Sequence, residues 1–176
     1  MFEGDPFVFQ GFEIPSDNLV FLVILSIHVL AGMTCAFFGL LAMFADKKRG
    51  RHTRYGKIYY VSIWVVFLTA AIISTIRFNE DFHLLVVGSV AFLSAFIARM
   101  AMKRKWVKWT IVHITGMGIS YIFLLTAFYV DNGKFLPIWK NFSSLVYWLL
   151  PAVVGIPIII RTLLRHPLSR DYFGRN

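Results

Sequence analysis

The sequence predicts an all-α membrane protein. Five transmembrane helices are expected, four forming a core and the fifth at its periphery, with the N-terminus outside and the C-terminus cytoplasmic. Three observations carry that expectation. Hydrophobic residues make up 58% of the 176-residue chain and charged residues only 15%, a balance that ordinary soluble domains do not reach. The apolar residues gather into five stretches, each near the roughly 20 residues needed to cross the hydrocarbon layer. The cations gather on alternate connections, the pattern that orients a multi-pass chain.

Taken in order, residues 1–18 hold Phe2, Phe7, Phe9 and Phe12 among prolines, glycines and acids. Such a segment suits the outer interface or the surface of a partner. The first span runs from Leu19 to Phe44. It is longer than the apolar part of a signal peptide, and Met1 is followed by Phe2 and Glu3 rather than by a basic region, so it is expected to remain as a helix. The second span, Ile58 to Ile76, follows a basic connection with Lys47, Lys48, Arg49, Arg51, Arg54 and Lys57. The third, Leu84 to Met102, follows Glu80 and Asp81, and the fourth, Trp109 to Val130, follows Lys103, Arg104, Lys105 and Lys108. The fifth, Leu145 to Leu164, contains Pro151, Gly155 and Pro157 and is expected to kink. It leads from the transmembrane domain, residues 19–164, into a basic tail, residues 165–176.

Runs of this length in lipid must be helical, because an unpaired backbone group there has no water to bond. The short connections make neighbouring helices antiparallel within one domain. The first and third connections and the tail then emerge on one face, with Arg161, Arg165, Arg170 and Arg175 beside the lysines, while Glu3, Asp5, Glu13, Asp17, Glu80, Asp81 and Asp131 lie on the other. By the positive-inside rule the basic face is cytoplasmic, in the cell membrane. The same placement explains the net charge of +9. Cations beside apolar spans meet anionic lipid headgroups, and no nucleic-acid module accompanies them. Cys35 is the only cysteine, so neither an intramolecular disulfide nor a thiolate cluster is available.

The histidines carry the candidate chemistry. His28, His52, His83 and His113 fall one per span, each at or near the start of its segment. Since starts alternate between faces, His28 shares a level with His83, and His52 with His113. Intramembrane histidine is costly enough to mark a functional site, against the plainer alternative of an imidazole bonded to a carbonyl or hydroxyl. Glycines follow at helical spacing: Gly32 after His28, Gly56 after His52 and Gly116 after His113. A bare patch beside a histidine could receive a flat macrocycle. Equally, Gly32, Gly39, Gly116 and Gly118 could be the small residues through which membrane helices approach closely.

From Ile27 through Val130 the chain resembles the transmembrane diheme cytochrome b family of the ascorbate-reducible type. Its second histidine opens a helix after a basic loop, as His52 does after Asp46-Lys-Lys-Arg-Gly-Arg, and its fourth lies in a unit similar to His113-Ile-Thr-Gly116. The chain is also similar to an uncharacterised family of bacterial integral-membrane proteins that shares the first-helix histidine and a His-x-x-x-Gly unit after a basic loop. The first resemblance implies bis-histidine haem b at two sites, or at one, with His28 and His83 as outer ligands and His52 and His113 as inner ones. It implies electron transfer across the membrane, with a small redox donor such as ascorbate, or a quinone, as partner. Arg77 outside, and Arg54, Tyr55 and Lys57 inside, would meet the propionates, although simple interface anchoring accounts for any one of them. His28 reaches the level of His83 with modest tilt. His52 precedes the apolar part of the second span by roughly 9 Å and reaches His113 only if that helix begins near Arg51 and slides inward, with Lys57 snorkelling.

Competing chemistries have less behind them. Neither His-Glu-x-x-His, nor a phosphate-binding glycine loop, nor Gly-x-Ser-x-Gly occurs. A zinc site from His28, His83 and Asp81 has suitable donors. The alternative from another class is a cofactor-free accessory subunit, associating with itself or with a membrane complex through its glycine faces and aromatic N-terminus. The tryptophans and tyrosines near span ends read as an interfacial belt, and Arg99 as a snorkelling cation.

Overall fold

The computed structural model describes residues 7–9, 12–14, 18–46, 50–76, 78–170 and 172, with side chains at 18–46, 50–75, 81–169 and 172. In chain order the elements are β1 (Phe7–Phe9), β2 (Phe12–Ile14), α1 (Leu19–Phe44), α2 (Arg51–Ile76), α3 (Phe78–Arg104), α4 (Trp109–Asn132), α5 (Ser144–Arg165) and α6 (Pro167–Arg170). Two single 3₁₀ turns, Gly133–Phe135 and Trp139–Asn141, join α4 to α5. Five helices, α1 to α5, are long and apolar enough to cross a membrane. The protein is therefore an all-α, multi-pass membrane protein. Its outward surface agrees: on α1, Leu30, Met33 and Phe37 are 65%, 66% and 60% exposed, an arrangement costly in water and ordinary in lipid.

The chain divides into two compact units, Met1–Gly88 and Ser89–Asn176, with the boundary inside α3. In the first unit, β1 and β2 pair antiparallel, Phe7 with Ile14, Val8 with Glu13 and Phe9 with Phe12. This hairpin was not anticipated, although two β-favouring triplets separated by two residues, the second a glycine, are its sequence signature. Helix α1 begins on a side-chain cap, with Asn18 Oδ1 accepting from the amides of Val20 at 2.9 Å and Phe21 at 3.4 Å. After α1 the backbone turns through Gly50 at φ +73°, a left-handed conformation that favours glycine.

Helix α2 then starts at Arg51, upstream of the expected Ile58. Hydropathy marks where lipid begins, whereas helical hydrogen bonding continues through the headgroup layer, with the amide of Arg54 already bonded to Gly50 O at 3.0 Å. The helices run antiparallel side by side. Cys35 Sγ lies 3.7 Å from Tyr59 O, and the Phe38 and Tyr55 ring centroids are 5.8 Å apart. Cys35 and Tyr59 are buried there.

In the second unit, Ala91, Ala95, Ala98 and Ala101 form a buried column of small residues on α3. Helix α4 rests against it at Gly116, where an added Cβ would come within 2.8 Å of Ala98 Cβ and 2.9 Å of Ser94 O. Helices α4 and α5 are joined reciprocally. The Ile159 side chain covers Gly118, with its Cγ1 2.5 Å from where a Cβ would stand, and the Ile122 side chain covers Gly155. Helix α5 continues from Ser144 to Arg165 through Pro151 and Pro157. Hydroxyls inside the spans bond to carbonyls of their own turn, as in Thr34 to Leu30 O at 2.7 Å and Thr126 to Ile122 O at 2.9 Å, the usual way a polar side chain is accommodated in lipid.

The turn between α3 and α4 is tight. Lys105 takes a left-handed conformation at φ 50°, and the amide of Trp106 reaches back to Ala101 O at 3.1 Å. That is a Schellman closure with lysine where glycine is usual. Lys108, the residue capping α4, is left-handed as well, at φ 60°.

Candidate functional site

Three of the four histidines singled out by their spacing bond to a neighbouring helix. His52, on the first turn of α2, has Nδ1 2.8 Å from Ala42 O in the last turn of α1. His113, on the second turn of α4, has Nδ1 3.3 Å from Ala98 O on α3. His28, within α1, has Nδ1 2.9 Å from Thr69 Oγ1 on α2. His83 lies on an exposed face of α3.

Two of these contacts assign a ring proton. A carbonyl oxygen only accepts, so Nδ1 of His52 and of His113 must donate. Thr69 Oγ1 lies 2.7 Å from Val65 O and 3.1 Å from Val66 O; when its proton goes to its own helix it accepts from His28 Nδ1, and when the proton turns to the ring it donates, so both neutral tautomers of His28 satisfy the contact. In a neutral imidazole a proton on Nδ1 leaves the lone pair on Nε2, which puts His52 and His113 in the tautomer that ligates a metal through Nε2.

The hairpin of α1 and α2 also fixes levels. Roughly 21 Å of helix axis separates His28 from Ala42, the carbonyl that holds His52, against a hydrocarbon layer of about 30 Å. The first unit thus carries one anchored imidazole towards each end of the hairpin. The start of α2 at Arg51 places His52 inside the helix.

The glycines divide. Beside Gly32 and Gly56 an added Cβ would meet nothing within 4 Å among the described residues. Gly116 has no bare patch, because Ala98 and the Ser94 carbonyl occupy it. Its role follows from the same contact: by letting α4 approach α3, Gly116 brings the His113 ring to Ala98 O. The patch expected for a macrocycle beside His113 is in fact the seat of the helix contact that holds the histidine.

Arg77 lies outside the described residues. Arg54, Tyr55 and Lys57 all stand on the first turns of α2, and the Tyr55 ring packs against Phe38. Among the described residues no group of three or more His, Cys, Asp or Glu side chains could hold a metal ion, which removes the zinc arrangement of His28, His83 and Asp81. Sequence reasoning missed Thr69, Ala42 and Ala98 as histidine partners. The signal for Thr69 was present: folding the chain back at the basic turn sets this threonine, in the apolar part of α2, near the level of His28. The two carbonyls carry no such signal, since any residue supplies one. No protein-family model matches the chain, nor does any curated protein or solved structure.

Proposed function

We propose that the protein is a b-type cytochrome of the cell membrane that carries electrons between its faces, with a cytoplasmic C-terminus. His28 and His83 would hold one haem, His52 and His113 the other. The observation that carries this reading is the bond that Nδ1 of His28, His52 and His113 each makes to an adjacent helix. Such a bond fixes ring orientation and raises ligand basicity. The separation of His28 from His52 along one hairpin further supports a two-level arrangement, as does the resemblance in residues 27–130.

Haem would supply one-electron chemistry at a potential tuned by its burial and axial ligands. The chain's own work is to orient imidazoles, to exclude water with apolar helices, and to offer Arg54, Tyr55 and Lys57 near the level of the inner site. Two histidines per iron leave no open coordination position, which makes electron transfer the task. A small reductant or a quinone at either face would be its partner.

A reduced-minus-oxidised absorption spectrum of detergent-purified protein, with haem quantified against protein, tests the reading. A b-type spectrum with two haems per chain is expected, and His28→Leu should remove one while leaving the other. A colourless preparation from haem-replete cells would sink the proposal.

The packing at Gly116, Gly118 and Gly155 favours a second reading, in which the histidine bonds serve only to join helices within an accessory subunit. Under it, His28→Leu would leave the protein colourless, as before, and alter only its stability.

A further inference from the structure

At the α3–α4 turn of the second unit, a cleft is lined by Trp109, Thr110, Leu168 and Tyr172. Its walls are set by the local fold. Helix α6 is held against the end of α5 by Ser169, whose hydroxyl lies 2.8 Å from Leu163 O and 3.0 Å from His166 O, and this places Leu168 opposite α4. Lysines stand over both aromatic walls: Lys105 Nζ is 4.5 Å from the Trp109 ring centroid, and Lys108 Nζ is 6.0 Å from that of Tyr172.

Three features indicate that something anionic belongs here. Thr110 is only 3% exposed, yet among the described residues its hydroxyl has no hydrogen-bond partner, although it lines the cleft. Of the first four amides of α4, those of Trp109, Ile111 and Val112 bond to backbone carbonyls, which leaves Thr110 with a second donor at the positive end of the helix. Finally, cations crowd the turn: Lys103, Arg104, Lys105 and Lys108 lie within six residues and outnumber Asp171, the acid next to Tyr172.

The rest of the turn is apolar and outward-facing, with Val107 86% and Leu168 49% exposed. An occupant with a charged head and a greasy body fits this surface better than a free ion. We propose that the cleft is a binding site for an anionic phospholipid. Its phosphate would accept from the hydroxyl and amide of Thr110, Lys105 and Lys108 would neutralise it, and the acyl chains would lie along the exposed apolar side chains. The site is independent of the histidines, so it stands whether or not haem is bound.

Native mass spectrometry of the full chain, released from detergent after incubation with phosphatidylglycerol or phosphatidylcholine, tests this. Retention of one phosphatidylglycerol per chain and no preference for added phosphatidylcholine is expected. The K105Q/K108Q variant should bind it at least tenfold more weakly, and Thr110→Val several-fold more weakly. The K103Q/R104Q variant, which removes equal charge outside the cleft, should bind as the wild type does. K105G/K108G separates lipid loss from misfolding: glycine relaxes both left-handed positions, so this protein should be at least as stable as wild type and still lose the lipid. Equal loss in the 103/104 and 105/108 variants would overturn the proposal in favour of diffuse surface attraction. So would a rise in melting temperature with inorganic phosphate alone that matches the rise with phosphatidylglycerol, since the ligand would then be a soluble anion.

Discussion

At the scale of single residues, the decisive atoms are the histidine Nδ1 atoms. Thr69 is the informative case, because its hydroxyl reaches both a carbonyl of its own helix and His28 Nδ1 on the other. Thr69→Val keeps the shape and removes the hydroxyl. An interhelical hydrogen bond inside a membrane protein is worth about 1 kcal/mol, so a loss of that size in unfolding free energy is expected in detergent or bicelles. Under the haem proposal the same variant should also shift the midpoint potential or absorption of one haem, because His28 would lose the group that orients its ring. An unchanged spectrum beside a changed stability would assign the bond a structural role alone.

At the scale of elements, the close approach of α4 to α3 depends on one missing methyl group. A side chain at position 116 would meet the Ser94 carbonyl, which is part of a helix and cannot swing aside. Gly116→Val is expected to destabilise the protein by about 2 kcal/mol, the usual scale of overpacking, and to carry the His113 ring away from Ala98 O. Thermal unfolding in detergent checks the first effect, and the His113 ring-nitrogen chemical shifts check the second. Much of this level was legible in the sequence. Leu19 to Phe44 coincides with α1 because an asparagine cap and an apolar run begin together. The second span began too late because Arg51, Arg54 and Lys57 read as loop by hydropathy while their backbone is helical. The bare glycine beside His113 was legible as a bare glycine. What faces it was not, because a contact between helices depends on rotation and depth, which composition does not report.

At the scale of the whole molecule, the orientation proposed from the distribution of cations would put the α3–α4 turn on the cytoplasmic face. Val107 is 86% exposed at that turn, and Cys35, the only native cysteine, is fully buried. A cysteine placed at Val107→Cys should therefore react with a membrane-impermeant maleimide in inverted vesicles and remain unlabelled in intact cells, over a silent wild-type background. Labelling from outside would reverse the orientation and exchange the inner and outer histidine levels.

The first hairpin has one further consequence. Its helices are tied at two distant places, His28 to Thr69 and His52 to Ala42, so it behaves as a gauge block cut to a single length. One residue inserted into α2 between those ties would turn one end against the other by about 100°, and no sliding of the helices could restore both. Variation in length is therefore confined to the connections, and a chain that broke this rule would surrender one histidine anchor outright rather than weaken both by degrees.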